Sequence, residues 1–187
     1  FKNILHFINT EGILEPKYCK DIKMQGHSIT MILINTASRI REAIPAAELD
    51  AQIDLSIESL QRYFVHPEFE ALLETVGPNG EFIDNTMGRT INPGHCIETA
   101  WFLLEEAKYR NWDPKLTKMA VTILEWSWKW GWDKEYGGII NFRDCRGLPV
   151  QDYSQDMKFW WPQTEAIIAT LYAYEATKDE RFLEMHK

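Results

Sequence analysis

The chain has 187 residues, 45% hydrophobic and 26% charged, enough for one globular domain with a sizeable core. Its formal net charge is −8 with no cluster of lysines and arginines, which sets aside a nucleic-acid binder that tracks phosphates with a basic face. No apolar run reaches the length that spans a bilayer, and a start at Phe1 says nothing about a leader.

Cys19, Cys96 and Cys145 are odd in number and lack the close pairing of a metal knuckle, so they read as free thiols in a reducing cytoplasm. Aromatic residues make up 13%, with 8 tryptophans. Trp126, Trp128, Trp130, Trp132, Trp160 and Trp161 fall in two short stretches. Most of this aromatic content reads as core, with flat stacking platforms for a sugar as the alternative.

Helical periodicity dominates the chain. Ser28 is placed as the cap of a helix through Ile29, Ile32, Leu33, Ala37 and Ile40 that ends near Pro45. A second helix is predicted over 46–65, with Leu49, Ile53, Ile57, Leu60 and Phe64 at three- and four-residue steps. Extended pieces at 72–76 and 81–84 flank Gly77-Pro78-Asn79-Gly80, which predicts a small hairpin. A third helix spans 92–109, and a fourth follows Asp113-Pro114 to Gly131. Gly137-Gly138 introduces a short apolar strand at 139–142, and Arg143-Asp144 leads into a loop. A fifth helix runs over 162–176, and 179–187 read as the start of another, with Phe182 and Leu183 unpaired. Helix pairs alternating with hairpins build an open solenoid or a closed toroid. A solenoid cap needs a polar outer face that the last residues lack, so the chain reads as a single-domain piece of a larger closed array.

Two stretches carry chemistry. In the first, Asn92 is a favoured N-cap and Pro93 suits the first helical position, which puts His95 in the first turn. The positive end of the helix dipole there disfavours imidazolium and keeps the ring basic. Glu98, three residues on, is placed to orient that ring or to grip a hydroxyl. A histidine held by a carboxylate suits removal of a carbon-bound proton beside a carbonyl; a first-turn histidine bonded only locally is the alternative.

In the second stretch, Pro162 again fits a helix start, with Trp161 at the cap and Glu165 about a turn inside. Trp161 offers a stacking face and Glu165 a hydroxyl acceptor, or the tryptophan pair is a packing wedge. In a toroid such N-termini converge on one mouth. His27, just before the Ser28 cap, is a minor candidate for that mouth. His6, His66 and His186 lack partners at informative spacing and read as surface residues, and Glu48, Asp50 and Asp54 as a solvated face. No phosphate-cradling glycine loop, His-Glu-x-x-His zinc motif or nucleophile elbow is present.

Taken in order, these segments resemble the N-acylglucosamine 2-epimerase (renin-binding protein) family. The matching text is Gly88-Arg89, Asn92-Pro93-Gly94-His95, Glu98 and Trp101-Phe102-Leu103-Leu104. Gly131-Trp132-Asp133, Gly137-Gly138, Met157-Lys158, Trp160-Trp161-Pro162 and Glu165-Ala166 continue it, so that it covers most of the chain from Met24 onward. The resemblance implies an (α/α)6 barrel, of which this chain is about the middle half. It implies that His95 is one of two catalytic histidines, with Glu98 beside it, and that Trp161 and Glu165 hold substrate. Arg89 and Lys158 are looser matches, carried as substrate contacts.

Two family features are unmatched: the second histidine, normally in a His-x-Pro-Arg motif, and an N-terminal arginine of the site. The chain alone is therefore expected to be inactive. Cellobiose 2-epimerase relatives carry a histidine at the position of Ile32; the apolar residue here points to the N-acylglucosamine branch. The implied reaction opens the sugar ring, removes the C2 proton and returns one to the opposite face. It implies no required metal or redox cofactor, ATP as an effector in some relatives, a small-molecule sugar partner and a homodimer. Alternatives are a mannose isomerase-like aldose–ketose isomerase, a cellobiose 2-epimerase, an inverting glycosidase, and a sugar- or protein-binding regulatory module.

Overall fold

The computed structural model describes residues 1–10, 13 and 21–187, so the thiol expected at Cys19 lies outside the described residues. Three helix hairpins make the architecture. Helix α2 (His27–Ala43) turns back into α3 (Ala47–Ser59), α4 (Pro93–Tyr109) into α5 (Pro114–Gly131), and α6 (Trp160–Thr177) into α7 (Arg181–His186). Helices α2, α4 and α6 pack side by side in chain order, each backed by its hairpin partner. This is half of an (α/α)6 barrel, as the resemblance implies. A first helix, α1 (Lys2–Asn9), has no buried residue and was not expected from the periodicity.

The inner helices run the same way, so their N-termini share one end. Three two-residue ribbons stitch that end together. Strand β1 (Gln25–Gly26) pairs antiparallel with β4 (Thr75–Val76), β2 (Val65–His66) with β3 (Ala71–Leu72), and β5 (Thr90–Ile91) with β6 (Arg143–Asp144).

Several expectations are corrected here. Helix α2 starts at His27, one residue before Ser28; Gly26 precedes it in an extended conformation and no side chain caps it. The entry is fixed instead by the His27 N–H, which donates to the Glu74 carbonyl at 3.0 Å. The second helix stops at Ser59 and passes through one π turn, Leu60–Phe64, whose end residues are both fully buried. The turn at 77–80 is present, closed by the Gly80 N–H on the Gly77 carbonyl at 3.0 Å and by the Gly77 N–H on the Glu81 carbonyl at 2.8 Å, but no strand ladder between 72–76 and 81–84 continues from it. Residues 75–76 bond to β1, and the Phe82 ring packs on Phe69 at 4.7 Å, so 81–84 is no strand.

The strand expected at 139–142 is also absent apart from one Trp132–Ile139 bridge. The Gln163 amide takes the ladder's place there, accepting from the Ile139 N–H and donating to its carbonyl, both at 2.8 Å. The strand lies one step on, at Arg143–Asp144. Phe182 is not unpaired but 1% exposed, and it anchors α7 in the core. His66 is buried and bonded to Glu68 at 2.9 Å. The tryptophans are mostly half-buried and Trp160 is 79% exposed, so the core is aliphatic rather than tryptophan-rich.

At the opposite end of the inner helices a buried ionic cluster ties α2 to α4. Arg41 Nη1 and Nη2 donate to Glu106, at 3.1 and 2.6 Å, and Arg110 donates to the same carboxylate at 2.7 Å. Asp50, expected to be merely solvated, accepts from Arg41 at 2.7 Å, and Asp54 pairs with Arg110 at 2.7 Å. Removing one member strands a buried charge, whereas replacing the pair with apolar groups does not. Arg41→Leu is therefore expected to lower the unfolding free energy by about 3 kcal/mol, since Arg110 still pairs with Glu106. The double variant Arg41→Met/Glu106→Leu should recover most of that loss in a urea titration.

Candidate functional site

The site is assembled around one short segment. The Leu73 N–H donates to the Phe64 carbonyl at 3.0 Å, and the Glu74 N–H donates to the Thr90 carbonyl at 3.1 Å. With the His27 N–H on its own carbonyl, Glu74 is pinned between the start of α2 and the strand leading into α4. Its carboxylate then reaches both helix starts: Oε1 and Oε2 lie 3.0 and 3.1 Å from His95 Nδ1, and Oε2 lies 3.9 Å from His27 Nδ1. Burial works against the charged carboxylate. The two imidazoles facing it, His27 and His95, outweigh burial and hold it well below the usual carboxylate range.

Asn92 caps α4 as expected, its side-chain oxygen accepting from the His95 N–H at 3.1 Å. The same bond fixes the backbone of His95 in the first turn, while Glu74 fixes its ring. The carboxylate that orients the ring is thus Glu74, not Glu98. The sequence did carry a signal for it: one acid inside the apolar run Ala71-Leu72-Leu73-Glu74-Thr75-Val76, all of whose neighbours are buried.

The His95 side chain remains 29% exposed and opens onto a cavity of about 270 Å³ whose lining includes Glu74, Thr90, Phe142, Gln151 and Asp152. On the side of α6 the Trp161 ring flanks His95, centroids 5.3 Å apart at 37°. Trp161 lies within the first turn of α6 rather than at its cap, which is Phe159. This approach needs Gly94: a methyl group there would collide with the Trp161 ring and press on Pro162.

Two carboxylates, Glu98 and Glu165, are near enough on this side to feel each other's charge. Glu165 accepts from the Trp101 indole N–H at 2.5 Å. Burial, with the nearby negative charge of Glu165, pushes the Glu98 carboxyl up to about 7. The structure thus brings His95, Glu98, Trp161 and Glu165 to one neighbourhood. It does not bring Arg89 or Lys158 to the cavity: Arg89 donates to Asp144 at 2.8 Å and Asp84 at 3.0 Å, and Lys158 pairs with Asp133 at 2.5 Å. Among the described residues no group of three or more His, Cys, Asp and Glu is placed to hold a metal ion, and no helix is long and apolar enough to cross a membrane. Cys96 and Cys145 are free and buried; burial pushes both thiols up, Cys145 to about 11.

Two outcomes follow from this geometry. Gly94→Ala is expected to displace the Trp161 ring and cost about 1–3 kcal/mol of stability, the usual penalty for overpacking. Loss of the His95–Trp161 contact should be visible as a changed tryptophan emission. Glu98 supplies a pH dependence. Its folded value is about 7 against an ordinary 4.5, so folding takes up a proton between those values and stability falls as pH rises through that window. Glu98→Gln should flatten the melting temperature against pH over that interval, and an unchanged slope would count against the assignment.

Comparison with known proteins places this geometry. The profile of the N-acylglucosamine 2-epimerase (GlcNAc 2-epimerase) family matches residues 35–187. The N-acylglucosamine 2-epimerase of Rattus norvegicus is 30% identical over 97% of this chain, and that of Bos taurus 36% identical over 86%. The chain spans 44% and 38% of the length of those relatives. The crystal structure of a sugar epimerase from a ruminal bacterium superposes with a TM-score of 0.72 at 18% identity, covering 87% of this chain and 39% of that one, and shares the fold. The chain belongs to the N-acylglucosamine 2-epimerase family.

Proposed function

We propose that the whole protein bearing this chain is a sugar 2-epimerase that interconverts N-acylglucosamine and N-acylmannosamine, with His95 as one of its two proton-transfer residues. The observation that carries this reading is the Glu74–His95 pair at the N-terminus of α4, open to a cavity and flanked by Trp161.

An anionic carboxylate on Nδ1 selects the tautomer with hydrogen on that nitrogen, which makes Nε2 the basic one. In the open-chain sugar the C1 carbonyl acidifies the C2 hydrogen. Nε2 takes that proton, and the electron pair of the broken C–H bond is held as an enolate. The positive end of α4 favours the negative charge that develops. Protonation from the opposite face inverts C2, and a second base supplies it. Glu98, still protonated up to about pH 7, is suited to donate a hydrogen bond to a sugar oxygen, while Glu165 accepts one and Trp161 offers an apolar face. Only protons move, so the scheme requires neither a metal nor a redox cofactor. By the resemblance alone the reading extends to ATP as an effector, a homodimer and a cytoplasmic setting.

In D₂O the protein should place deuterium at C2 while converting N-acetylmannosamine to N-acetylglucosamine. His95→Asn should lower kcat by about 10²–10⁴-fold, the scale of a general acid–base group, with a much smaller change in KM. Exchange from one C2 epimer should stop, with slow exchange surviving from the other. Wild-type exchange of both epimers by the variant would falsify the assignment of His95, and a ketose product would mark an aldose–ketose isomerase instead.

A further inference from the structure

The lining of the cavity beside His95 is of mixed character. Glu74 and Asp152 contribute carboxylates, whereas Met87, Phe142 and Val150 contribute half-buried apolar side chains that the reaction above leaves without a role. The loop that carries Val150 is folded back on the segment of Phe142. The Phe142 N–H donates to the Gln155 carbonyl at 3.0 Å, and the Val150 N–H donates to Gln155 Oε1 at 3.3 Å. Behind them the buried Asn141 side chain donates to the buried Ser154 hydroxyl at 2.9 Å. Asp152 Oδ1 closes the loop, accepting from the Ser154 N–H at 2.7 Å and its hydroxyl at 2.6 Å. The apolar lining is therefore in place before any ligand arrives.

Its chemistry selects what it can receive. At about 270 Å³ the cavity falls below the roughly 300–1,000 Å³ of pockets that enclose a whole ligand, so it takes one part of a sugar. A chain of hydroxyls would lose water against Met87, Phe142 and Val150 without gaining partners. An anionic substituent would meet the charges of Glu74 and Asp152. A neutral group with a short apolar tail suffers neither cost. Gln151 adds a preference for an amide. The Thr86 hydroxyl meets one end of its carboxamide at 3.3 Å, and an amide can serve whichever end is left, since it both donates and accepts. The N-acyl group has this composition, and it is bonded directly to C2. A base that lines the cavity and acts at C2 holds that substituent at the cavity's mouth.

We propose that this lining is the acyl pocket of the site. Phe142 and Val150, with Met87, receive the alkyl end of the N-acyl group, and Gln151 meets its amide. Phe142 and Val150 thereby set selectivity for short acyl chains. The inference rests on the proposed epimerase reading, because reaction at C2 is what brings the acyl group here.

The sugar alcohols of N-acetyl- and N-butanoylmannosamine are open chains without a carbonyl, so they probe the pocket without reacting. Calorimetric titration of the whole protein should show tighter binding of the N-acetyl compound. In Val150→Ala, and separately in Phe142→Ala, the balance should move toward the N-butanoyl compound. The expected shift is about fourfold for each methylene that the vacated space takes in. A ratio of two affinities within one preparation is insensitive to any loss of folded protein. No binding of either compound, or the same ratio in both variants as in the unaltered protein, overturns the proposal whatever the activity. C2 exchange in the same preparations separates the two readings. A shifted ratio without exchange in the unaltered protein defeats the epimerase reading and leaves the acyl pocket standing. Exchange with an unshifted ratio defeats the acyl pocket alone.

Discussion

One buried carboxylate organises this half-barrel. Isolating an anion from water costs on the order of several kcal/mol unless hydrogen bonds and opposite charge replace the solvent. Glu74 has both, because its backbone is stitched to the first residue of α2 and to the strand before α4. The segment that closes two inner helices side by side is thus the same segment that aims a carboxylate at their histidines. Fold and site are specified by one set of backbone hydrogen bonds. A change that slips the β1–β4 register by one residue would turn Glu74 away from His95 as well as loosen α2.

The inner helices carry polar clusters at both ends and an apolar middle. At one end Glu74 joins His27 and His95; at the other Glu106 joins Arg41, Arg110 and Ser38. Between them Ile34, Ala37, Ile97, Ala100, Leu103 and Leu104 are essentially buried. Apolar packing is non-directional and tolerates sliding, whereas a bidentate Arg41–Glu106 pair has one geometry. Pinning the far ends of α2 and α4 fixes their relative height, and that height sets the distance from Glu74 to His95. A cluster remote from the cavity thereby belongs to the site's precision.

What was legible in the sequence followed from local rules. The bounds of α4 and α5 are nearly those predicted, because Asn92-Pro93 and Asp113-Pro114 are cap-and-first-turn pairs whose side chains do accept from His95 and Leu116. The convergence of His95, Glu98, Trp161 and Glu165 followed from helix N-termini meeting at one end of a toroid. The errors lie where a non-local partner decides. The hairpin at 77–80 looked complete, but β1, fifty residues earlier by sequence, takes the strand that the turn offered. The strand at 139–142 lost its ladder to the Gln163 side chain, which no period-two pattern reveals. Glu74 went unassigned because its partner His95 is remote in sequence, and Arg89 and Lys158 looked available because their acids, Asp144 and Asp133, are remote too.

Gly94 shows how tightly packing and chemistry are joined here. Within the Asn92-Pro93-Gly94-His95 segment, Asn92 caps the helix and Pro93 begins it, so both have local reasons to be there. Gly94 has none: glycine weakens a helix by roughly 1 kcal/mol relative to alanine, and nothing in the turn requires its freedom. Its reason is the Trp161 ring, which occupies the space a side chain would fill. The bare backbone lets α6 approach α4 closely enough for that ring to lie beside His95. Gly131 does the same on the other side, where a methyl group would strike Pro93 and hold α5 away from the start of α4. The first turn of α4 is therefore clamped between two close approaches, each made possible by a missing side chain. An imidazole in such a turn has little freedom to tilt away from Glu74, which is what a proton-transfer group acting at a fixed carbon requires.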